Sequence, residues 1–286
     1  MKAYKLKWMD HSLELGHRTH VMGILNVTPD SFSDGGKFSA LDKAISHAEQ
    51  MVMEGADIID IGGESSRPFS EPVSAEEEMR RVLPVIEHLA PRLDVPISID
   101  TTKSEVARRA IEAGASIIND ISALGIDGEI GRVAAKTGAL LILMHMLGSP
   151  KTMQIRPEYT NLFEEIKTYL EKAIKKAVTA GVPKDKIIVD PGIGFGKTTK
   201  HNLQLIHHID RMDRLDTPVL LGPSRKAFIR KTISGCEELP VGHPDIESGT
   251  QAVIAAAAIK GIHIVRVHRV AETRKTLRII DAIRTS

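Results

Sequence analysis

Eight short apolar runs recur along the chain, separated by stretches whose apolar residues repeat at a helical period. The runs are His20–Asn26, Asp57–Gly62, Pro96–Asp100, Ser116–Asp120, Ala139–His145, Lys186–Asp190, Pro218–Gly222 and Ile262–His268. Most are nearly unbroken in Val, Ile and Leu, as strands read when both faces are covered in a parallel sheet. Between two of them, Met79, Val82, Leu83, Ile86, Leu89, Ala90 and Leu93 form a helical stripe behind a Ser74–Glu77 capping box, with Pro84 inside it. Similar stripes run through Leu41, Ala44, Ile45, Ala48 and Val52, and through Phe163, Ile166, Leu170, Ala173, Ile174 and Ala177. Gly55, Gly114, Gly138, Gly181 and Gly261 stand where helices should end, as C-caps. Eight strand-then-helix units predict an α/β fold: a single parallel (β/α)8 barrel over residues 1–286, with residues 1–19 as a cap or hairpin. An open doubly wound sheet is the competitor, and the first strand lacks the Gly-x-Gly-x-x-Gly that would favour it.

Residues two apart on a strand share a face. By that parity Asn26 aligns with Met22 and Ile24, Asp100 with Ser98, Asn119 with Ile117, Asp190 with Ile188, and Arg266 and His268 with Ile264. Each set turns polar at its C-terminal end, which is the catalytic end of a barrel. Asp120 points the other way. Asp60, ahead of Gly62-Gly63, reads equally as a site residue or a loop brace, and His145 as a site residue or a structural histidine. Ser224-Arg225-Lys226 and Arg266-x-His268 follow the last two strands, where barrels commonly bind phosphate. The stretch Gly192–Thr198 resembles a phosphate-binding loop, but position 191 is Pro where that motif requires Gly. It reads better as a glycine-rich loop that brings Phe195 to a planar ligand.

Composition narrows the function class. The 38 Lys and Arg nearly cancel the 37 Asp and Glu, so no net charge draws the chain to nucleic acid or to an anionic membrane. Cys236 is the lone cysteine, which excludes an internal disulfide and fits a reducing compartment. The N-terminus has no apolar core of a signal peptide, and the longest apolar run, Ala252–Ile259, is far short of the roughly 20 residues of a membrane span. A cytoplasmic enzyme acting on small molecules is expected. No His/Cys spacing suggests zinc. If a diphosphate binds, Mg2+ would be held mainly by phosphate oxygens, with Asn26 as the natural protein ligand.

The motifs, in order, resemble those of the dihydropteroate synthases over nearly the whole chain. They are Asn26-Val-Thr-Pro-Asp-Ser-Phe-Ser-Asp-Gly-Gly36, Gly62-Gly-Glu-Ser-Ser-Arg-Pro68, Ser98-Ile-Asp-Thr101, Asn119-Asp-Ile121, Met144-His-Met146 with Pro150-Lys-Thr-Met-Gln154, Asp190-Pro-Gly-Ile-Gly-Phe195, Ser224-Arg-Lys226 and Arg266-Val-His268. The resemblance implies a transferase that joins 6-hydroxymethyl-7,8-dihydropterin pyrophosphate to p-aminobenzoate through a pterin methylene cation. It implies pterin contacts from Asp100, Asn119, Met144, Asp190, Phe195, Gly222, Lys226 and Arg266. Pyrophosphate would meet Asn26, Thr28, Arg266 and His268, with Mg2+ at Asn26. p-Aminobenzoate would meet Phe32, Ser66, Arg67 and Pro68, beside Lys226. Asp34, Lys226 and Arg67 take the catalytic roles, and loops around Thr28–Lys37 and Ser65–Pro72 close over the site. A homodimer and sulfonamide binding are also implied. The chain departs from the family pattern at Phe69, Pro223, Ala227 and Arg269. Two alternatives share the pterin site: a methyltetrahydrofolate:corrinoid methyltransferase domain and a non-catalytic pterin-binding paralogue. The Phe-Ser-Asp-Gly-Gly loop and the Ser-Arg-Lys motif argue against the former.

Overall fold

A computed structural model describes residues 2–27, 37–65, 70–149, 151–235 and 239–286. Within them a hairpin, β1 (Tyr4–Trp8) and β2 (His11–Leu15), precedes the barrel strands. These are β3 (His20–Asn26), β4 (Ile58–Gly62), β5 (Ile97–Asp100), β6 (Ile117–Asp120), β7 (Leu140–Met144), β8 (Ile187–Asp190), β9 (Leu220–Leu221) and β10 (Ile264–Val267). All pair in parallel in the order β8-β7-β6-β5-β4-β3-β10-β9. A bridge between Val189 and Val219 joins the two ends of that order and completes the ring. The eight apolar runs are therefore the eight barrel strands. The seventh is shorter than its run: Pro218 has no N–H to give the ladder, and its carbonyl accepts from Val189 N at 3.0 Å.

Nine α-helices are described: α1 (Lys37–Met53), α2 (Ala75–Leu89), α3 (Ser104–Glu112), α4 (Glu129–Thr137), α5 (Leu162–Thr179), α6 (Thr199–His207), α7 (Ala227–Ser234), α8 (Asp245–Ile259) and α9 (Val270–Thr285). The expected capping box of α2 is only half made. Ser74 Oγ accepts from Glu77 N at 3.2 Å, but the Glu77 carboxylate is taken by Arg80 and Arg81. The reciprocal box forms at α6, between Thr198 and His201. The five glycines expected to end helices all take positive φ, with Gly138 a left-handed C-cap at 75°.

Strand parity divides the interior in two. Outward residues such as Val21, Ile59, Ile99, Ile118, Leu141 and Val265 pack against the helices. Inward residues Met22, Ile58, Ile117, Leu140, Ile142, Ile188, Leu220 and Ile264 meet Leu6, Trp8 and Leu15 of the hairpin. The hairpin thus seals the N-terminal floor of the barrel with apolar side chains. Polar inward residues follow further along the same strands, so the chemistry is left at the opposite, C-terminal mouth.

Candidate active site

The eight residues expected around the pterin line one pocket at that mouth. Asp100 and Asn119 are register partners on β5 and β6, and Met144 and Asp190 on β7 and β8. Phe195 comes from the loop after β8, Gly222 and Lys226 from the segment after β9, and Arg266 from β10. Ile121 and Ile193 also line the pocket, and the sequence reading did not single them out.

Arg266 organises the pocket base. Its Nε donates to Asp60 Oδ2 at 2.5 Å and its Nη2 to Asp100 Oδ2 at 2.7 Å. Asp60 is fully buried and also accepts from Asn119 Nδ2 at 3.2 Å. Its place is therefore inside the barrel with the site, where it braces Arg266 and Asn119 rather than a loop. With its NH2 given to Asp60, Asn119 keeps its amide oxygen as an acceptor on the other side. Burial pushes the Asp100 carboxyl up, to about 7, with Asp60 and Glu78 adding to the rise while Arg266 and Lys226 oppose it. Burial likewise raises Asp190, to about 6, against the pull of a 2.6 Å bond from Gly192 N and of Lys226, Lys197 and Arg266. The Lys226 ammonium lies 3.8 Å from the Phe195 ring centroid. Burial and Arg266 lower its pKa to about 8, while Asp190 and Asp100 favour its charge. Asp100, Asn119 and Asp190 as acceptors, with Arg266 and Lys226 as cationic donors among them, leave a slot suited to a flat, polar heterocycle.

Met144 and Phe195, which line the slot, belong to a buried apolar cluster with Met146 and Met153 behind them. The loop after β8 contributes Phe195 to this cluster, and its glycines Gly192, Gly194 and Gly196 all take positive φ. Gly192 has φ +66°, and a Cβ there would lie 1.9 Å from the His145 carbonyl oxygen. Gly194 has φ +80°, and a Cβ would lie 2.8 Å from Lys226 Cδ. Lys197 ties the loop down from within. Its buried ammonium donates to Gly192 O at 2.8 Å, Phe195 O at 2.9 Å and His145 Nδ1 at 2.9 Å. Burial lowers Lys197 to about 7, although Asp190 favours its charge. His145 is accordingly a structural acceptor, held neutral by burial and by Lys197. Sequence reasoning missed Lys197 as a supporting residue. The available signal was a lysine inside a glycine-rich loop that fails as a phosphate motif. Asp120 turns outward, as its parity requires, and accepts from Ser122 N, Ser122 Oγ and Leu124 N.

On the anion side, Asn26 ends β3 opposite Gly62. The His268 N–H donates to Ser224 Oγ at 3.3 Å, and Ser224 Oγ lies 2.8 Å from His268 Nδ1. Thr28, Phe32, Asp34, Ser66, Arg67 and Pro68, and the variant position Phe69, lie outside the described residues.

The family described as pterin binding enzyme matches residues 22–268. A dihydropteroate synthase of Escherichia coli K12 is 46% identical over 271 residues, which span 95% of this chain and 93% of that protein. The chain belongs to the dihydropteroate synthase family. Two solved members of the family superpose closely. One is the Xanthomonas albilineans dihydropteroate synthase with 4-aminobenzoic acid, at TM-score 0.90 and 40% identity, covering 100% of both chains. The other is the Yersinia pestis dihydropteroate synthase with a sulfonamide drug complex, at TM-score 0.89 and 43% identity, covering 98% of this chain and 99% of that one. Three of this chain's departures from the family pattern fall at element ends. Pro223 and Ala227 flank the turn into α7, where Lys226 N donates to Pro223 O at 3.3 Å, and Arg269 immediately precedes α9.

Proposed function

We propose that this chain catalyses dihydropteroate synthesis, joining 6-hydroxymethyl-7,8-dihydropterin pyrophosphate to p-aminobenzoate with release of pyrophosphate. The observation that carries the reading is the pattern of polar atoms in the slot. Asp100, Asp190 and the Asn119 oxygen are acceptors, and they match the amino and lactam N–H donors of a pterin edge. Lys226 supplies a donor for the pterin's carbonyl or ring nitrogen. Met144 and Phe195 cover the ring faces, Arg266 stacks beside them, and Gly222 leaves the room they need.

The reaction is SN1-like. The bond between the pterin methylene carbon and the diphosphate oxygen breaks, and its electron pair leaves with pyrophosphate. The ring delocalises the resulting cation, and Asp34 stabilises it. The arylamine nitrogen then bonds to the methylene carbon and loses a proton. Arg266, His268, Asn26 and Thr28 hold the leaving group, and fixed positive charge there lowers the barrel-mouth cost of separating charge. Phe32, Ser66, Arg67, Pro68 and Lys226 seat p-aminobenzoate, in keeping with the 4-aminobenzoic acid of the Xanthomonas neighbour.

Among the described residues no three His, Cys, Asp or Glu side chains converge to hold a metal. Asn26 offers a single neutral oxygen. That donor set fits an Mg2+ brought by the diphosphate itself and completed by water. Such an ion would neutralise charge on the departing pyrophosphate.

A coupled pyrophosphate-release assay with both substrates tests the reading. Release that requires p-aminobenzoate and falls on chelation with EDTA is expected. Pterin binding with no release would make the chain a non-catalytic pterin binder. We also read the enzyme as a cytoplasmic homodimer. The lone cysteine supports the compartment. Ala252, Ala256 and Ile259 support the assembly, because they leave an exposed apolar line along α8. Light scattering on the purified protein would show twice the chain mass.

A further inference from the structure

The mechanism above gives Asp60 no part, yet it is the most enclosed charged group of the site. It is 0% exposed, while Asp100 and Arg266 keep side-chain exposures of 12% and 19%. Arg266 has two carboxylate partners of different kinds. Nε, near the stem of the side chain, goes to Asp60, and Nη2, at the tip, goes to Asp100. Asp100 also faces the pocket, where a bound pterin would claim its oxygens. Asp60 has no such competitor. A substrate that took Asp100 would therefore free the tip of Arg266 and leave its stem held.

We propose that Asp60 is a positioning residue that anchors Arg266 by Nε while the Nη2 end exchanges from Asp100 to the diphosphate of the substrate. This rests on the synthase reading for the identity of the anion. The anchor fixes one edge of the planar guanidinium, so the tip can move only by a small swing about the held edge. Coupling follows directly. Filling the pterin slot displaces the tip, and the displaced tip is the group that meets the leaving group. Productive charge separation is thereby confined to enzyme that already holds a pterin.

The test is a double-mutant cycle of Asp60→Asn and Arg266→Lys in the full chain, since Lys has no Nε–H. Asp60→Asn keeps a neutral acceptor and a similar shape. It is expected to lower the pyrophosphate-release kcat at least tenfold in the Arg266 background and less than twofold in the Arg266→Lys background, with the melting temperature within a few degrees. Equal losses in the two backgrounds would overturn the proposal. If the unmodified enzyme binds pterin but releases no pyrophosphate, the synthase reading fails on its own. The cycle is then read in the affinity for inorganic pyrophosphate. A measurement on the unmodified protein covers the case in which Asp60→Asn does not fold. In 15N-arginine spectra the Arg266 Nε–H should stay protected and nearly unmoved when 6-hydroxymethylpterin and inorganic pyrophosphate are added, while the Nη signals shift. Equal movement of both would also overturn the anchor.

Discussion

Replacing Asp190 by Asn changes one atom, and the structure dictates which way the new amide must face. Asp190 Oδ1 already accepts the Gly192 N–H at 2.6 Å. An asparagine must keep its oxygen on that N–H, because the alternative sets two donors against each other. Its NH2 then takes the place of Oδ2 and faces the slot, where a pterin N–H would need an acceptor. The variant therefore loses a charge-assisted hydrogen bond, a loss of about 1.5–3 kcal/mol. At 1.4 kcal/mol per factor of ten, 6-hydroxymethylpterin should bind about 10- to 150-fold more weakly at pH 8. The pH dependence supplies a second reading. Only the ionised carboxyl accepts two donors, and its pKa in the free protein is raised to about 6, with Asp100 raised to about 7. Affinity in the unmodified protein should fall with decreasing pH, first as Asp100 takes a proton and more steeply once Asp190 does too. In Asp190→Asn the steeper part should vanish. Calorimetric titration from pH 5 to 8 measures both effects. Affinity within twofold of the unmodified protein at pH 8, or an unchanged acid slope, would refute the assignment of Asp190 as a pterin acceptor.

Two further outcomes follow from the floor and the loop. Trp8→Ala should cost about 3–5 kcal/mol of stability and lower the melting temperature by roughly 10 °C. Turnover at 25 °C should stay within twofold, because the hairpin lies at the end opposite the site; a large loss of turnover in folded protein would contradict that separation. Lys197→Met should leave Gly192 O, Phe195 O and His145 Nδ1 without their shared donor, at about 1–3 kcal/mol for each buried acceptor. Calorimetry should show a lower melting temperature together with pterin affinity weakened about tenfold, and no change in either would remove Lys197 from its bracing role.

The barrel and most of the slot were legible in the chain because both depend on period two. A polar residue in phase with inward apolar neighbours must end up in the lumen, and Asp100, Asn119, Asp190 and Arg266 all satisfy that condition. Asp60 satisfied it as well, in phase with Ile58, but Gly62-Gly63 just beyond it suggested a loop-bracing role. Its partner Arg266 lies 206 positions away, and the two meet only because the closed ring sets β4 and β10 on either side of β3. Lys197 was hidden for a similar reason. A lysine among glycines reads as solvated until His145, 52 positions earlier, is brought beneath it. The half-formed cap at Ser74 failed on local competition, since Arg80 and Arg81 outbid the N-cap for the Glu77 carboxylate. The motifs of the two loops that carry Asp34 and Arg67 were legible only through the family pattern, because neither loop has a period.

The hairpin floor sets an order on the making of the protein. Leu6, Trp8 and Leu15 leave the ribosome before any barrel strand, yet their neighbours Leu220 and Ile264 belong to the last two strands of the ring. At roughly 5–20 residues per second, translation takes on the order of 10–50 s to span that interval. Through that time the apolar side chains of the hairpin lack the surface they will cover, and the His263 Nε2 contact to Lys2 O, which ties the hairpin to the start of β10, is unmade. A ring of parallel strands cannot be floored before it is closed, so a hairpin synthesised ahead of the ring waits for its last strands before it reaches its place.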